Sequence, residues 1–211
     1  MTFDLEEQEK IDALKDWWKR YGTTMILVLL VVSASAAAIQ GWRVYQYKQT
    51  EQAATLYGNL QILNPQNEVK KIREIAGAIL DQYPSTSYAP RAALIAAHAN
   101  YEANDAKSAK VQLQWVIEHA KELALKQIAS LRLAGILLDE KNYADALKLL
   151  DKPFDPAFSG LSADLKGDVL AAQGKQTEAR AAYQIALDKT DQKSVYRKFV
   201  QMKLDALGEG K

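Results

Sequence analysis

From Tyr21 to Trp42 the chain carries 22 consecutive residues without a charge. At about 1.5 Å of rise per residue, a helix of that length covers a hydrocarbon layer of ~30 Å. Trp17, Trp18, Lys19, Arg20 and Tyr21 stand at one end, and Trp42, Arg43, Tyr45 and Tyr47 at the other. Such side chains favour the headgroup level, where rings and basic tips keep their polar atoms wet. Ahead of the run, residues 1–20 place Leu5, Ile11, Leu14 and Trp18 at helical spacing among acids and lysines. That pattern predicts a short amphipathic leader helix along the membrane surface. Beyond Arg43 the apolar positions keep a helical period. Val69, Ile72, Ala76, Ile79 and Tyr83 fall on one face, with Pro65, Pro84 and Pro90 marking breaks around them. A first helix is expected to run from the membrane to about Leu63, ahead of Asn64-Pro65.

The small residues around Ala34-Ser35-Ala36 resemble a signal-peptidase site, but the remaining features favour an uncleaved anchor. The leader is long and holds six acids, and the uncharged run continues past the alanines to Trp42. Lys10, Lys15, Lys19 and Arg20 precede the span, whereas Arg43 and Lys48 follow it closely. This bias puts the N-terminus in the cytoplasm and the larger C-terminal part outside. Ser33, Ala37 and Gly41 recur every four residues, forming a smooth stripe on which another transmembrane helix can pack closely. The bland alternative is that small residues are simply tolerated in a single span.

A repeat emerges after residue 90. Ala109, Ala146 and Ala179 lie 37 and 33 residues apart, and twelve residues before each sits another small residue: Ala97, Ala134 and Gly167. Tetratricopeptide repeats show this period, with two antiparallel helices per unit. A small side chain on each helix lets the pair approach closely where it crosses. Ala163 to Leu187 is the best unit, with Gly167, Gly174, Ala179, Tyr183 and Ala186 in place. The middle unit is shortened near Leu150 by Pro153 and Pro156, the first is degenerate, and Lys193 to Leu207 reads as a capping helix. No alternating β-branched run or hairpin turn is present. The expected fold is all-α: a cytoplasmic leader (1–20), a transmembrane helix (21–42) and a tetratricopeptide-like α-solenoid (43–211).

Composition narrows the chemistry. Lys+Arg number 27 and Asp+Glu 26, so no global field attracts nucleic acid. The cluster Lys70, Lys71 and Arg73 sits among acids and does not suit a phosphate backbone. There is no cysteine, which excludes disulfides, thiolate metal sites and cysteine nucleophiles. His98 and His119 are the only histidines and lack the pairing of a helical metal site, although Glu102 could add a ligand beside His98. No phosphate loop or nucleophile motif occurs. The sequence therefore predicts no catalytic residue, metal or cofactor, and Asp139-Glu140 reads as solvated charge. Repeat positions Tyr101, Tyr143 and Tyr183, with Trp115, are expected mostly to pack between repeats. Phe154 and Phe158, flanking Pro156, are the candidate partner contacts.

Several segments in a fixed order also resemble a known family. "WW…YG" precedes the span and "GWRVYQ" follows it; then come "SLRLAGILLDEKNYADALKLLD", "ADLKGDVLAAQGK…EARAAYQIAL" and "MKLDAL". Together they resemble the YfgM family, ancillary SecYEG translocon subunits of Gram-negative bacteria. The resemblance implies a single-pass inner-membrane protein with a periplasmic repeat domain. It further implies association with the SecYEG translocon, with PpiD (a membrane-anchored chaperone of prolyl-isomerase type) and with newly translocated polypeptides. The family carries no catalytic motif. An envelope scaffold or signalling adaptor is the alternative. A hydrolase would require a reaction dependent on His98 or His119.

Overall fold

The computed structural model describes residues 3–208, and the side chain of Leu5 lies outside that description. The described residues form helices and no strands: α1 (Phe3–Gln61), α2 (Val69–Gln82), α3 (Tyr88–Glu102), α4 (Ala106–His119), α5 (Leu123–Asp139), α6 (Tyr143–Leu150), α7 (Pro156–Ala172), α8 (Gln176–Lys189) and α9 (Val195–Ala206). They fall into two compact units, one up to Gln49 and one from Thr50.

In the first unit α1 is unbroken, so the expected leader helix is not a separate element. No proline interrupts this stretch, and Gly22, a residue that weakens helices, is covered by the indole of Trp18. A Cβ at Gly22 would stand 3.1 Å from that ring. Trp17 packs against Tyr21 and Trp42 against Tyr45, with ring centroids 5.9 and 5.8 Å apart. Between these aromatic groups every side chain from Met25 to Val32 is exposed, on all sides of the helix. A cylinder apolar all round needs an apolar surrounding, and lipid supplies one. Among the described residues α1 is the one helix long and apolar enough to cross a membrane.

In the second unit the end of α1 and α2 share a core with α3, centred on Leu60, Ile72 and Ile79. Three antiparallel pairs follow, α3–α4, α5–α6 and α7–α8, and α9 packs on the last. The paired small residues sit where the helices cross. Ala97, Ala109, Ala134, Ala146, Gly167 and Ala179 are all buried. At Gly167 the approach is tight: an added Cβ would lie 2.4 Å from the Tyr183 ring. The apolar face of α9, Val200 and Leu204, closes the core of the last pair, as a capping helix must. Helix α6 ends at Leu150 after two turns, against four in α4 and α8.

The turns within the pairs repeat as faithfully as the alanines. Asn104, Lys141 and Gly174 all adopt positive φ (59°, 60° and 76°). In each turn the following N–H donates back to the third-last helical carbonyl: Asp105 to Asn100, Asn142 to Leu137 and Lys175 to Leu170, at 2.8, 2.8 and 3.0 Å. This is the left-handed C-terminal cap, which glycine fills without strain and lysine does not. Lys141→Gly is therefore expected to stabilise the chain by about 0.5–1 kcal/mol, read as a higher urea midpoint with an unchanged slope.

Candidate functional site

Three surfaces are open to a partner. The first is the small-residue stripe on α1. Ser33, Ala37 and Gly41 are all exposed, and a Cβ at Gly41 would meet nothing within 4 Å. The stripe is a shallow track on an apolar helix.

The second surface exists because α6 is short. Where two further turns would lie, a cavity of about 420 Å³ opens between the end of α6, α7 and α8. Leu150, Phe154, Ser162, Leu170, Ala182 and Ile185 help to line it. Ile185 is 52% exposed, high for a residue facing a repeat interface. Asp151 at the rim pairs with Lys166 at 2.7 Å. Phe154 thus reaches the slot. Phe158 is half-buried on the first turn of α7, which Asp155 caps by accepting from the Ala157 N–H at 3.0 Å.

The third surface runs along the first helices of the pairs, where α3 neighbours α5. Two cavities of about 320 and 430 Å³ meet there and share His98 and Arg132. Arg91, on the edge of the larger, is held by both oxygens of Glu122 at 2.9 and 2.7 Å. That carboxylate is the main reason the Arg91 guanidinium holds its proton more tightly than usual. Asp139, on the edge of the smaller, accepts from the Tyr101 hydroxyl at 2.5 Å, which pushes the Tyr101 phenol above its ordinary range. Glu140 pairs with Lys110 at 2.5 Å. Asp139-Glu140 is therefore not merely solvated: it ties the end of α5 to α3 and α4.

The histidines come nowhere near each other's chemistry. His98 is 54% exposed and 3.9 Å from Glu102, while His119 stacks on Trp115 with centroids 4.7 Å apart. Among the described residues no group of three His, Asp or Glu side chains could hold a metal. Of the basic cluster, Lys71 pairs with Glu68 at 3.0 Å. Arg73 donates to Asn100 and, at 2.7 Å, to Asp105. Of the tyrosines, Tyr183 is buried between helices, Tyr143 half-buried and Tyr101 exposed.

One group escaped the sequence reading. Lys203 of α9 donates to Asp164 at 3.0 and 2.8 Å and to Asp168 at 2.8 Å. Tyr196 donates to Asp164 and Tyr183 to Asp168, the latter at 2.8 Å. Asp164 is 4% exposed. Burial, and then the bond to a carboxylate, push both phenols well above their ordinary range. Burial pulls Lys203 down, but its bonds to Asp164 and Asp168 outweigh this and raise it. The only signal in the sequence was a pair of acids four apart on α7 with a lysine on the capping helix.

Stacked helix pairs with open apolar surfaces, joined to a bare apolar helix, define a tetratricopeptide-like repeat protein with a candidate membrane anchor. The sequence model of the family described as "Tetratricopeptide repeat-like domain" matches residues 15–209. Proteins named ancillary SecYEG translocon subunit, from Neisseria gonorrhoeae and Haemophilus influenzae, are 36% and 28% identical over 98% of this chain and all of theirs. The Escherichia coli protein of that name is 24% identical over 95% of this chain and 96% of its own. The chain belongs to this family of ancillary SecYEG translocon subunits, the YfgM family whose motifs it carries. No solved structure matches it.

Proposed function

We propose that the chain is a non-enzymatic adaptor anchored beside the SecYEG translocon, with α1 spanning the inner membrane and the repeat unit in the periplasm. There it receives newly translocated polypeptides together with a PpiD-like membrane chaperone. The observation that carries this reading is the end-to-end similarity to relatives named as ancillary translocon subunits. The physics agrees with it. An anchor raises the local concentration of a binding domain near its partners, so individually weak contacts suffice.

On this reading Ser33, Ala37 and Gly41 receive a transmembrane helix of the channel or chaperone, because small residues let backbones approach and gain dispersion contacts in lipid. Phe154, in the slot left by α6, and Phe158 beside it contact the soluble part of a partner. The test is purification of the full chain from bacterial membranes in mild detergent, with identification of co-purifying proteins. Channel and chaperone components are expected. Ala37→Leu with Gly41→Leu should cut their recovery about tenfold while membrane insertion persists. Phe154→Ala with Phe158→Ala should lower chaperone recovery alone. Envelope-synthesis machinery in place of the channel would support the scaffold alternative. A repeat unit protected from protease in right-side-out vesicles would overturn the periplasmic placement.

A further inference from the structure

Arg132 is the one charged side chain between Lys126 and Asp139 of α5, and it is exposed where the two cavities beside α3 meet. Its guanidinium donates to the Leu94 carbonyl at 3.4 Å, and no carboxylate among the described residues pairs with it. Of the other charges there, Arg91 is paired with the Glu122 carboxylate, and Asp139 has a hydrogen-bond donor in Tyr101 but keeps its negative charge. Glu102 is 3.9 Å from His98. Leu60, Leu94 and Ile95 wall the cavity on one side of Arg132, and Ala97, Leu113 and Ile136 the cavity on the other.

We infer that this groove binds an extended polypeptide segment in which one acidic residue is flanked on both sides by aliphatic residues. Resting on the adaptor reading, this names the class of client segment that the repeat unit takes. A carboxylate meets the guanidinium, which has no carboxylate paired with it among the described residues and whose planar fork donates to both oxygens. In an extended chain, side chains two positions apart point the same way, so the residues two before and two after the acid enter the two cavities. A segment still unfolded offers this register, whereas a folded protein has already buried its aliphatic side chains. A basic segment meets like charge and is refused.

The experiment uses the full chain in lipid nanodiscs and three labelled short peptides, read by fluorescence anisotropy. They are identical except for a central glutamate, glutamine or lysine, each with leucine two positions to either side. The glutamate peptide is expected to bind about tenfold more tightly than the glutamine one, and the lysine peptide not measurably. Arg132→Glu should invert the order in favour of the lysine peptide, and Arg132→Lys should keep part of the original preference. Because Arg132 is exposed, the helical circular dichroism of both variants should match the parent, which keeps the comparison about binding. Equal binding of the glutamate and glutamine peptides, or an unchanged order in Arg132→Glu, overturns the inference. Co-purification of the channel is read separately, and its absence counts against the adaptor reading alone.

Discussion

Gly167→Val is expected to cost about 3 kcal/mol or more and to melt the last repeat before the rest of the second unit. A Cβ at this position stands 2.4 and 2.5 Å from two carbons of the Tyr183 ring. The ring cannot step aside. It is 3% exposed, its hydroxyl is bound to Asp168, and the core around it holds Leu170, Ala186 and Val200. Overpacking of a filled core forces side chains off their rotamers or moves backbone, and two branched methyls go beyond the ordinary 1–3 kcal/mol range. Urea unfolding of the full chain in detergent, followed by circular dichroism, measures the loss. Tyr183→Ala should cost a similar amount by leaving a cavity. The double variant should be much less damaged than the sum, because each change accommodates the other. Additive losses would show that the two residues do not share a packing site.

The second large effect belongs to the Lys203 cluster. Lys203→Met leaves Asp164, nine-tenths buried and more, with Tyr196 as its remaining side-chain donor. Removing one partner of a buried ion pair costs about 3–5 kcal/mol, and the 36% exposure of the Lys203 side chain reduces this to about 2 kcal/mol. The same cluster makes the docking of α9 sensitive to alkali. The Tyr183, Tyr196 and Lys203 pKa values all stand above their ordinary ones, so the folded chain holds protons that the unfolded chain releases. The stability they contribute is complete below pH ~10, where unfolded tyrosine and lysine begin to titrate, and is lost as pH rises further. Thermal midpoints at pH ~8 and pH ~11 should differ by roughly 5–10 °C in the parent. Tyr196→Phe combined with Lys203→Met should show less than half that difference, from a lower starting point. An equal difference in parent and variant would assign the alkaline loss to other groups.

Both effects depend on pairs of residues far apart in sequence, and this marks what could be read from the chain and what could not. The alanine and glycine positions of the repeats were legible because helix crossings demand small side chains at a fixed offset, whatever surrounds them. The end of α1, the bounds of α2, the short α6 and the capping role of α9 were legible for a similar reason: prolines and apolar period act locally. Asn104 and Lys141 were not recognised as left-handed caps, since neither is glycine and their place becomes plain only when aligned with Gly174. Asp139-Glu140 looked solvated because its partners, Tyr101 and Lys110, lie on other helices. The leader looked like a separate surface helix because amphipathic spacing says nothing about whether a helix stops.

The sequence by itself determined an uncharged run of membrane-spanning length, its aromatic ends, a helical-repeat fold and the family. All of these follow from periodicity, charge distribution and the order of motifs. Only the tertiary structure decided which charges pair with one another. Arg91 and Arg132 are indistinguishable as letters, yet Glu122 pairs with the first, whereas the second lies where two cavities meet and donates to the Leu94 carbonyl. Likewise the slot beside Phe154 exists because the neighbours of α6 continue where it stops. An absence of packing is a property of the assembled helices, and no local pattern encodes it.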